Sequence, residues 1–161
     1  MTLRIRLMEM ASKLVQRARY CRYRLLGYSH IDKSAILESK LILDRVHPKG
    51  IHIGANTLVA SHVLILCHEH IKRDALNPRM PWVTETYIGQ NCFIGVRATI
   101  LPVIRIGDEV VVGASTVVTH DVPSHSVVVG NPGRIVKTGI RMREKAILQT
   151  APAPPEIAGS A

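Results

Sequence analysis

The apolar positions of this chain fall into step with a period of six. Counting in sixes from Ile88 meets Ile94, Ile100, Ile106, Val112 and Val118, and glycine follows as Gly89, Gly95, Gly107 and Gly113. An amphipathic helix would space its apolar residues by three and four, and a half-buried strand by two, so six belongs to neither alone. It fits a chain that runs extended for a few residues, bends and repeats, with one aliphatic residue turned inward per cycle. Three such hexads close a triangular coil, and coils stacked at about 4.8 Å set each aliphatic residue on its equivalent in the next. The glycine suits close backbone approach or a positive φ at the bend. The predicted fold class is an all-β solenoid, in which the repeat is scaffold and function belongs to what interrupts it.

Followed backwards, the pattern keeps phase at Ile53-Gly54, Val59 and Ile65, and becomes ragged over residues 34–54. There Leu41 is in phase with Ile53, His47 breaks the series between them, and Pro48-Lys49-Gly50 signals a corner that leaves the regular path. Between Ile65 and Ile88 the step is 23 residues, which is no multiple of six. The segment Cys67–Tyr87, polar and bearing Pro78, Pro81 and the single tryptophan Trp82, therefore reads as a loop expelled from the solenoid. Long loops of this kind in compact domains are commonly functional.

At the N-terminus the period changes. Leu3, Leu7, Met10, Leu14, Ala18, Cys21 and Leu25 recur at spacings of four and three, which predicts an amphipathic helix with Thr2 at its start and Gly27 at its end. Basic residues flank the stripe, with Arg6, Lys13 and Arg24 on one side and Arg4 and Arg22 on the other. Two roles compete. The preferred one packs the stripe over the open first coil as a solenoid cap; the other lays the helix on an anionic membrane surface. At the other end, Ile140–Leu148 predicts a short basic helix and Ala151–Ala161, with three prolines, a disordered tail. The chain thus divides into an N-terminal helix (1–27), the solenoid (28–137, with the loop at 67–87) and a C-terminal helix and tail (138–161).

Charge changes this picture at one end only. Of the net charge of +9, residues 1–24 carry +6, so the basicity is mostly an N-terminal property and a nucleic-acid role for the whole chain is disfavoured. Aromatic residues make up only 4% of the chain, which suits stacked aliphatic columns better than an aromatic-centred core. Cys21, Cys67 and Cys92 are odd in number and far apart, which predicts neither a disulfide framework nor a zinc motif and favours a reducing, cytoplasmic setting. No apolar stretch is long enough to span a bilayer, and no secretory leader is read at the N-terminus.

The candidate chemistry sits where the loop opens, at Cys67-His68-Glu69-His70. An imidazole, with its ordinary pKa near roughly 6.5, can take a proton from a hydroxyl and release it later. Glu69 would point to the opposite face of an extended segment and is a poor orienting group for either histidine. His68 and His70 share a face, and with His120 and His125 further on they raise zinc as an alternative.

The hexads, the stretch Gly113-Ala114-Ser115-Thr116-Val117-Val118-Thr119, Asp121-Val122-Pro123 and Gly130-Asn131-Pro132 together resemble the hexapeptide-repeat acyltransferases over residues 30–137. The resemblance implies a left-handed parallel β-helix, although parallel crossovers are otherwise right-handed. It implies an O-acetyltransferase that moves acetyl from acetyl-CoA to a hydroxyl of a sugar or polysaccharide precursor, without a covalent intermediate and with a histidine as general base. Aligned without gaps from Ile53-Gly54, the galactoside and maltose acetyltransferases put that base at His70. Relatives with an Asn-Pro-Lys-Gly turn put it at His68, which is preferred, with His70 as the alternative or a helper. By the same resemblance Ala114 and Thr119 line the acyl-CoA groove, His120 stands where many relatives carry a phosphate-contacting lysine, and Arg134 and Lys137 lie near the nucleotide phosphates. A homotrimer with sites between neighbouring solenoids is implied as well, and no metal is expected.

The chain departs from its relatives at His120, at Ser115 and Val103 where glycine is usual, and at Gly133 where alanine is commoner. His120 and Ser115 bear on coenzyme binding. Acetylation of serine, an amino sugar or a xenobiotic, or a solenoid that has lost catalysis, are the other readings. The zinc-binding carbonic anhydrases that share the solenoid space their histidines differently.

Overall fold

Pairs of extended residues separated by short bends dominate the computed structural model, which describes residues 3–72, 77 and 79–149. The pairs fall in rotation on three faces. His30–Ile31, Ile51–Ile53, Thr86–Ile88 and Arg105–Ile106 form the first sheet, and Ile42–Leu43, Leu64–Ile65, Thr99–Ile100 and Val117–Val118 the third. The second holds Ile36–Leu37, Leu58–Val59, Phe93–Ile94, Val111–Val112 and Ser126–Val129. All of these pairings are parallel, and each joins one coil to the next. The register stacks three internal columns: Ile31, Ile53, Ile88, Ile106; Leu37, Val59, Ile94, Val112, Val128; and Leu43, Ile65, Ile100, Val118. No column residue is more than 4% exposed. At about 1.5–3 kcal/mol for each buried aliphatic side chain, these columns are the main favourable term in folding.

Of the two roles open to the recurrent glycine, close approach is the one used. A Cβ on Gly95 would lie 2.6 Å from the Ala114 amide nitrogen of the next coil, so any side chain there forces the coils apart. The left-handed backbone needed at each bend falls two residues later, at Asn56, Asn91, Arg97, Val103, Glu109 and Ser115. Val103 (φ 72°) and Ser115 (φ 57°), the two positions read as departures from glycine, both adopt this left-handed backbone, which glycine takes without strain. Coil packing does not crowd Ser115, whose side chain is exposed.

The first coil corrects the sequence reading. Its column residues are Ile31, Leu37 and Leu43, in strict sixes, and Leu41 is not one of them. The phase slips only after Leu43, where a short 3₁₀ turn at Pro48–Gly50 lengthens the step to Ile53. The two interruptions, 43–53 and 65–88, therefore fall at the same corner of consecutive coils, between the third face and the first.

The N-terminal helix α1 runs Leu3–Leu25 and ends before Gly27 (φ 96°), as expected; Thr2 lies outside the described residues. Its apolar stripe does not pack on the coil. Leu7, Met10, Leu14 and Leu25 are 57%, 67%, 70% and 88% exposed. The opposite side caps the solenoid through polar groups: Gln16 Oε1 accepts from Leu37 N–H (3.1 Å) and Arg19 donates to Leu37 C=O (3.0 Å). Satisfying an open strand edge outweighed burying the stripe.

Beyond the coils, Arg134–Thr138 adds antiparallel to Ser126–Val129. The short helix predicted at Ile140–Leu148 is instead a hairpin, Met142–Arg143 against Ile147–Leu148 around a 3₁₀ turn at Glu144–Ala146. Ile140 and Met142 are buried while Arg141 and Arg143 are exposed, a period of two that only extended backbone provides. Glu109 Oε2 also accepts the Met142 N–H at 2.8 Å, and nine residues are too few to repay helix nucleation. The tail, Ala151–Ala161, lies outside the described residues.

Candidate functional site

Asp44 follows the column residue Leu43 directly, at the point where the first coil leaves its hexad path. Its carboxylate is wholly buried, and four donors fill it. Oδ1 accepts from Val46 N–H (2.9 Å) and His47 N–H (3.4 Å); Oδ2 accepts from Cys67 N–H (2.7 Å) and the His68 ring (2.5 Å). Burial by itself would raise the Asp44 carboxyl, but the bonds from Cys67, His68 and Val46 outweigh it and hold the group below the ordinary carboxylate range. Beneath it, the buried Tyr28 hydroxyl reaches the carbonyls of Leu43 and Asp44, both at 3.1 Å, and braces the backbone that carries the acid.

Since Asp44 is ionised it can only accept, so His68 must carry its proton on Nδ1. That leaves Nε2 with a free lone pair, on a side chain 19% exposed to solvent. A histidine oriented in this way can take a proton at Nε2, and the carboxylate behind it stabilises the imidazolium that results. The ring stands on a two-residue strand, His68–Glu69, paired antiparallel with Trp82–Val83. The expelled loop thus starts and ends as a hairpin, tied back where Thr84 N–H donates to Cys67 C=O at 2.8 Å.

Neighbouring groups take other positions. The His70 ring is exposed and meets His68 edge-on, 5.2 Å between centroids. Glu69 faces Lys72 (3.9 Å), whose ammonium lies over Trp82. The Cys67 thiol is fully buried, donates to His47 C=O, and is pushed up to about 12 by burial and then by the Asp44 charge, so it is no thiolate nucleophile at neutral pH. His120 bonds Thr119 Oγ1 (2.9 Å) and His125 faces Glu109 (3.5 Å). Among the described residues no three His, Cys, Asp or Glu side chains converge as a metal site.

Of the predicted coenzyme-contacting residues, Thr119, His120 and Arg134 line one cavity of about 240 Å³ on the last coil, with Val118 and Gly133. Ala114 is exposed at a bend outside this cavity, and Lys137 is exposed on the antiparallel strand opposite Val127. Thr119 follows Val118 as Asp44 follows Leu43, so the cavity and His68 lie along one edge of the solenoid. Two coil rises, roughly 10 Å, separate their levels.

Sequence reasoning named His68 as a candidate and did not name Asp44, the carboxylate that it bonds. The one available signal was its place: a carboxylate directly after an inward column residue, at the start of a lengthened step.

The profile described as "Hexapeptide repeat of succinyl-transferase" matches residues 86–120. YvoF of Bacillus subtilis (strain 168), an inferred acetyltransferase, is 33% identical over 123 residues, covering 76% of this chain and 68% of that protein. WbbJ of Escherichia coli (strain K12), an inferred lipopolysaccharide biosynthesis O-acetyl transferase, is 37% identical over 107 residues, and the match spans 58% of this chain and just over half (55%) of WbbJ. Among solved structures, a maltose O-acetyltransferase from Clostridium difficile 630 superposes with a TM-score of 0.57 at 28% identity, covering 78% of this chain and 87% of that one. A galactoside acetyltransferase in complex with coenzyme A shares the fold (TM-score 0.54, 21% identity, 79% and 82% covered).

Proposed function

The chain belongs to the hexapeptide-repeat acetyltransferases, and within that family we propose that it is an O-acetyltransferase acting on a hydroxyl of a sugar or polysaccharide precursor, with His68 as general base. The observation that carries this reading is the His68 ring held through Nδ1 on a buried, ionised Asp44 at the mouth of the loop that breaks the repeat. His68 Nε2 takes the proton from the acceptor hydroxyl as its oxygen bonds to the thioester carbonyl of acetyl-CoA. The carbon–sulfur bond breaks, the coenzyme thiolate leaves, and it recovers a proton from the imidazolium. Asp44 keeps the ring in the productive tautomer and offsets its transient charge. No covalent enzyme intermediate is needed, consistent with a Cys67 thiol that stays protonated.

Acetyl-CoA then runs along the shared edge, its thioester near His68 and its phosphate-bearing end toward Thr119, His120 and Arg134, with Ala114 and Lys137 contributing from the flank. Supporting this are the common edge and a separation that a pantetheine arm spans. His120 in place of a lysine gives one phosphate a weaker donor. The coil is left-handed in this reading, and the working unit is a homotrimer with each site completed by a neighbouring solenoid. His70, edge-on to His68, helps hold the acceptor. The match to WbbJ and to the maltose enzyme favours a glycan over serine or a xenobiotic.

The test is thiol release from acetyl-CoA against a panel of sugars and glycan precursors, comparing wild type with His68→Ala, Asp44→Asn and His70→Ala. His68→Ala is expected to lower turnover by roughly 10²–10⁴-fold. Asp44→Asn, which removes an orienting group, is expected to cost about 10–100-fold. A His68→Ala enzyme that turns over at the wild-type rate sinks the assignment.

A further inference from the structure

We propose that helix α1 is a docking surface for an anionic membrane, with its apolar stripe lying in the bilayer interface and the solenoid standing end-on above it. The direction of the stripe follows from backbone hydrogen bonds. Ile36 and Glu38 donate to Thr57 and Val59 of the second coil, so the N–H and C=O of Leu37 between them point the other way, out of the open end of the solenoid. Gln16 and Arg19 bind those two groups, which lays α1 across that end with its Gln16 side inward.

A half-turn of the helix away lie Leu7, Met10, Leu14 and Leu25, all exposed and directed away from the coil. Monomeric proteins rarely leave so continuous an apolar row in water without a partner for it.

Charge selects the partner. The stripe has cations on both shoulders: Lys13 and Arg17 on one side, Arg22 on the other, all exposed. Residues 1–24 carry seven basic side chains against Glu9 alone, while the rest of the chain is itself +3. A second copy of this chain would bring its own positive charge to a positive rim. A bilayer with anionic headgroups meets both needs, taking the apolar row into its interface and the basic shoulders among its phosphates. α1 does not cross the membrane: no helix among the described residues is long and apolar enough to do so.

The experiment is co-sedimentation of the full chain with phosphatidylcholine vesicles, with and without phosphatidylglycerol, across a salt series. Melting curves and light-scattering mass accompany each variant. Binding is expected only with phosphatidylglycerol and should weaken as salt rises. Lys13→Glu/Arg17→Glu should reduce it at least tenfold, given about 1 kcal/mol for each cation at such a surface. Met10→Glu/Leu14→Glu should abolish it with the melting curve unchanged, because both side chains touch water in the folded chain. Three outcomes overturn the proposal: no binding to either vesicle; stripe variants that bind like wild type, which would leave only charge adsorption; or stripe variants that change the mass of the assembly, which would make a second copy the occupant. If the double substitution alters the melting curve, Leu14→Ala decides, with an expected loss of vesicle affinity of about tenfold.

Discussion

The coils between Thr86 and Val118 and the corner shared by residues 43–53 and 65–86 are built from the same chain by opposite means. In the coils one solution repeats: an inward aliphatic residue, a glycine against the next coil after Ile88, Ile94, Ile106 and Val112, and a left-handed bend. No carboxylate, imidazole or amine faces the columns, the buried Cys92 thiol is pushed up to about 11 by burial, and every column position is stabilised by its equivalents above and below. At the corner the repeat is broken twice in succession. The extra residues let a carboxylate turn into space that an aliphatic side chain would otherwise fill, and a histidine from the next coil closes over it. A buried charge with four donors is costly to assemble and costly to break. The regular region is optimised for stability, and the irregular one holds a histidine oriented by a buried, ionised carboxylate.

That contrast can be broken from either side. The largest effects expected are the separate losses of rate and stability. His68→Ala should lower turnover by roughly 10²–10⁴-fold, and because three backbone N–H groups still hold Asp44 it should lower the melting temperature less than a cavity in the column does. Ile100→Ala, in the middle of a fully buried column, should do the reverse. It is expected to cost about 2–5 kcal/mol, or roughly 5–15 °C in melting temperature, with turnover per folded molecule near wild type. If Ile100→Ala abolished turnover without lowering stability, the division between scaffold and site would be wrong.

A smaller effect should appear in the pH dependence of unfolding. The Asp44 carboxyl is depressed in the folded chain, so its contribution to stability is present above its ordinary value of 3.8 and is lost as pH falls through the depressed folded value. Asp44→Asn should flatten the acid end of the stability curve relative to wild type, measured by denaturant unfolding at a series of acidic pH values. A curve that stays parallel to wild type there would mean that the carboxylate is not held as described.

The smallest effect sharpens the account of the coils themselves. Val103 sits at φ 72°, where a β-branched side chain is strained. Val103→Gly should raise stability by about 1 kcal/mol, a gain read as a shift in the denaturation midpoint. The same change at Asn91 should give less, because asparagine tolerates the left-handed region.

How much of this was legible in advance depends on the distance over which each feature is encoded. The columns from Ile88 to Val118 were readable because each hexad states the same local rule again. Ile31, Leu37 and Leu43 obey that rule too, yet four extra residues after Leu43 hid their phase when counting ran backwards from Ile53. His68 was marked by its place at the mouth of the insertion. The hairpin at Met142–Leu148 was misread as a helix because its apolar residues are few, and the bond from Glu109 that holds it comes from 33 residues earlier.

The sequence by itself determined the period, the place where it fails, and the amphipathic character of residues 3–25, since all three are patterns of neighbours along the chain. Only the tertiary structure decided which groups the failures bring together and which way the helix faces. Asp44 and His68 are 24 residues apart and meet because two unequal insertions stack at one corner. The stripe on α1 faces outward because the open edge at Leu37 needed hydrogen-bond partners, which the polar side of the helix provides. Both outcomes come from satisfying buried or exposed backbone and charge in three dimensions, a demand that no spacing along the chain records.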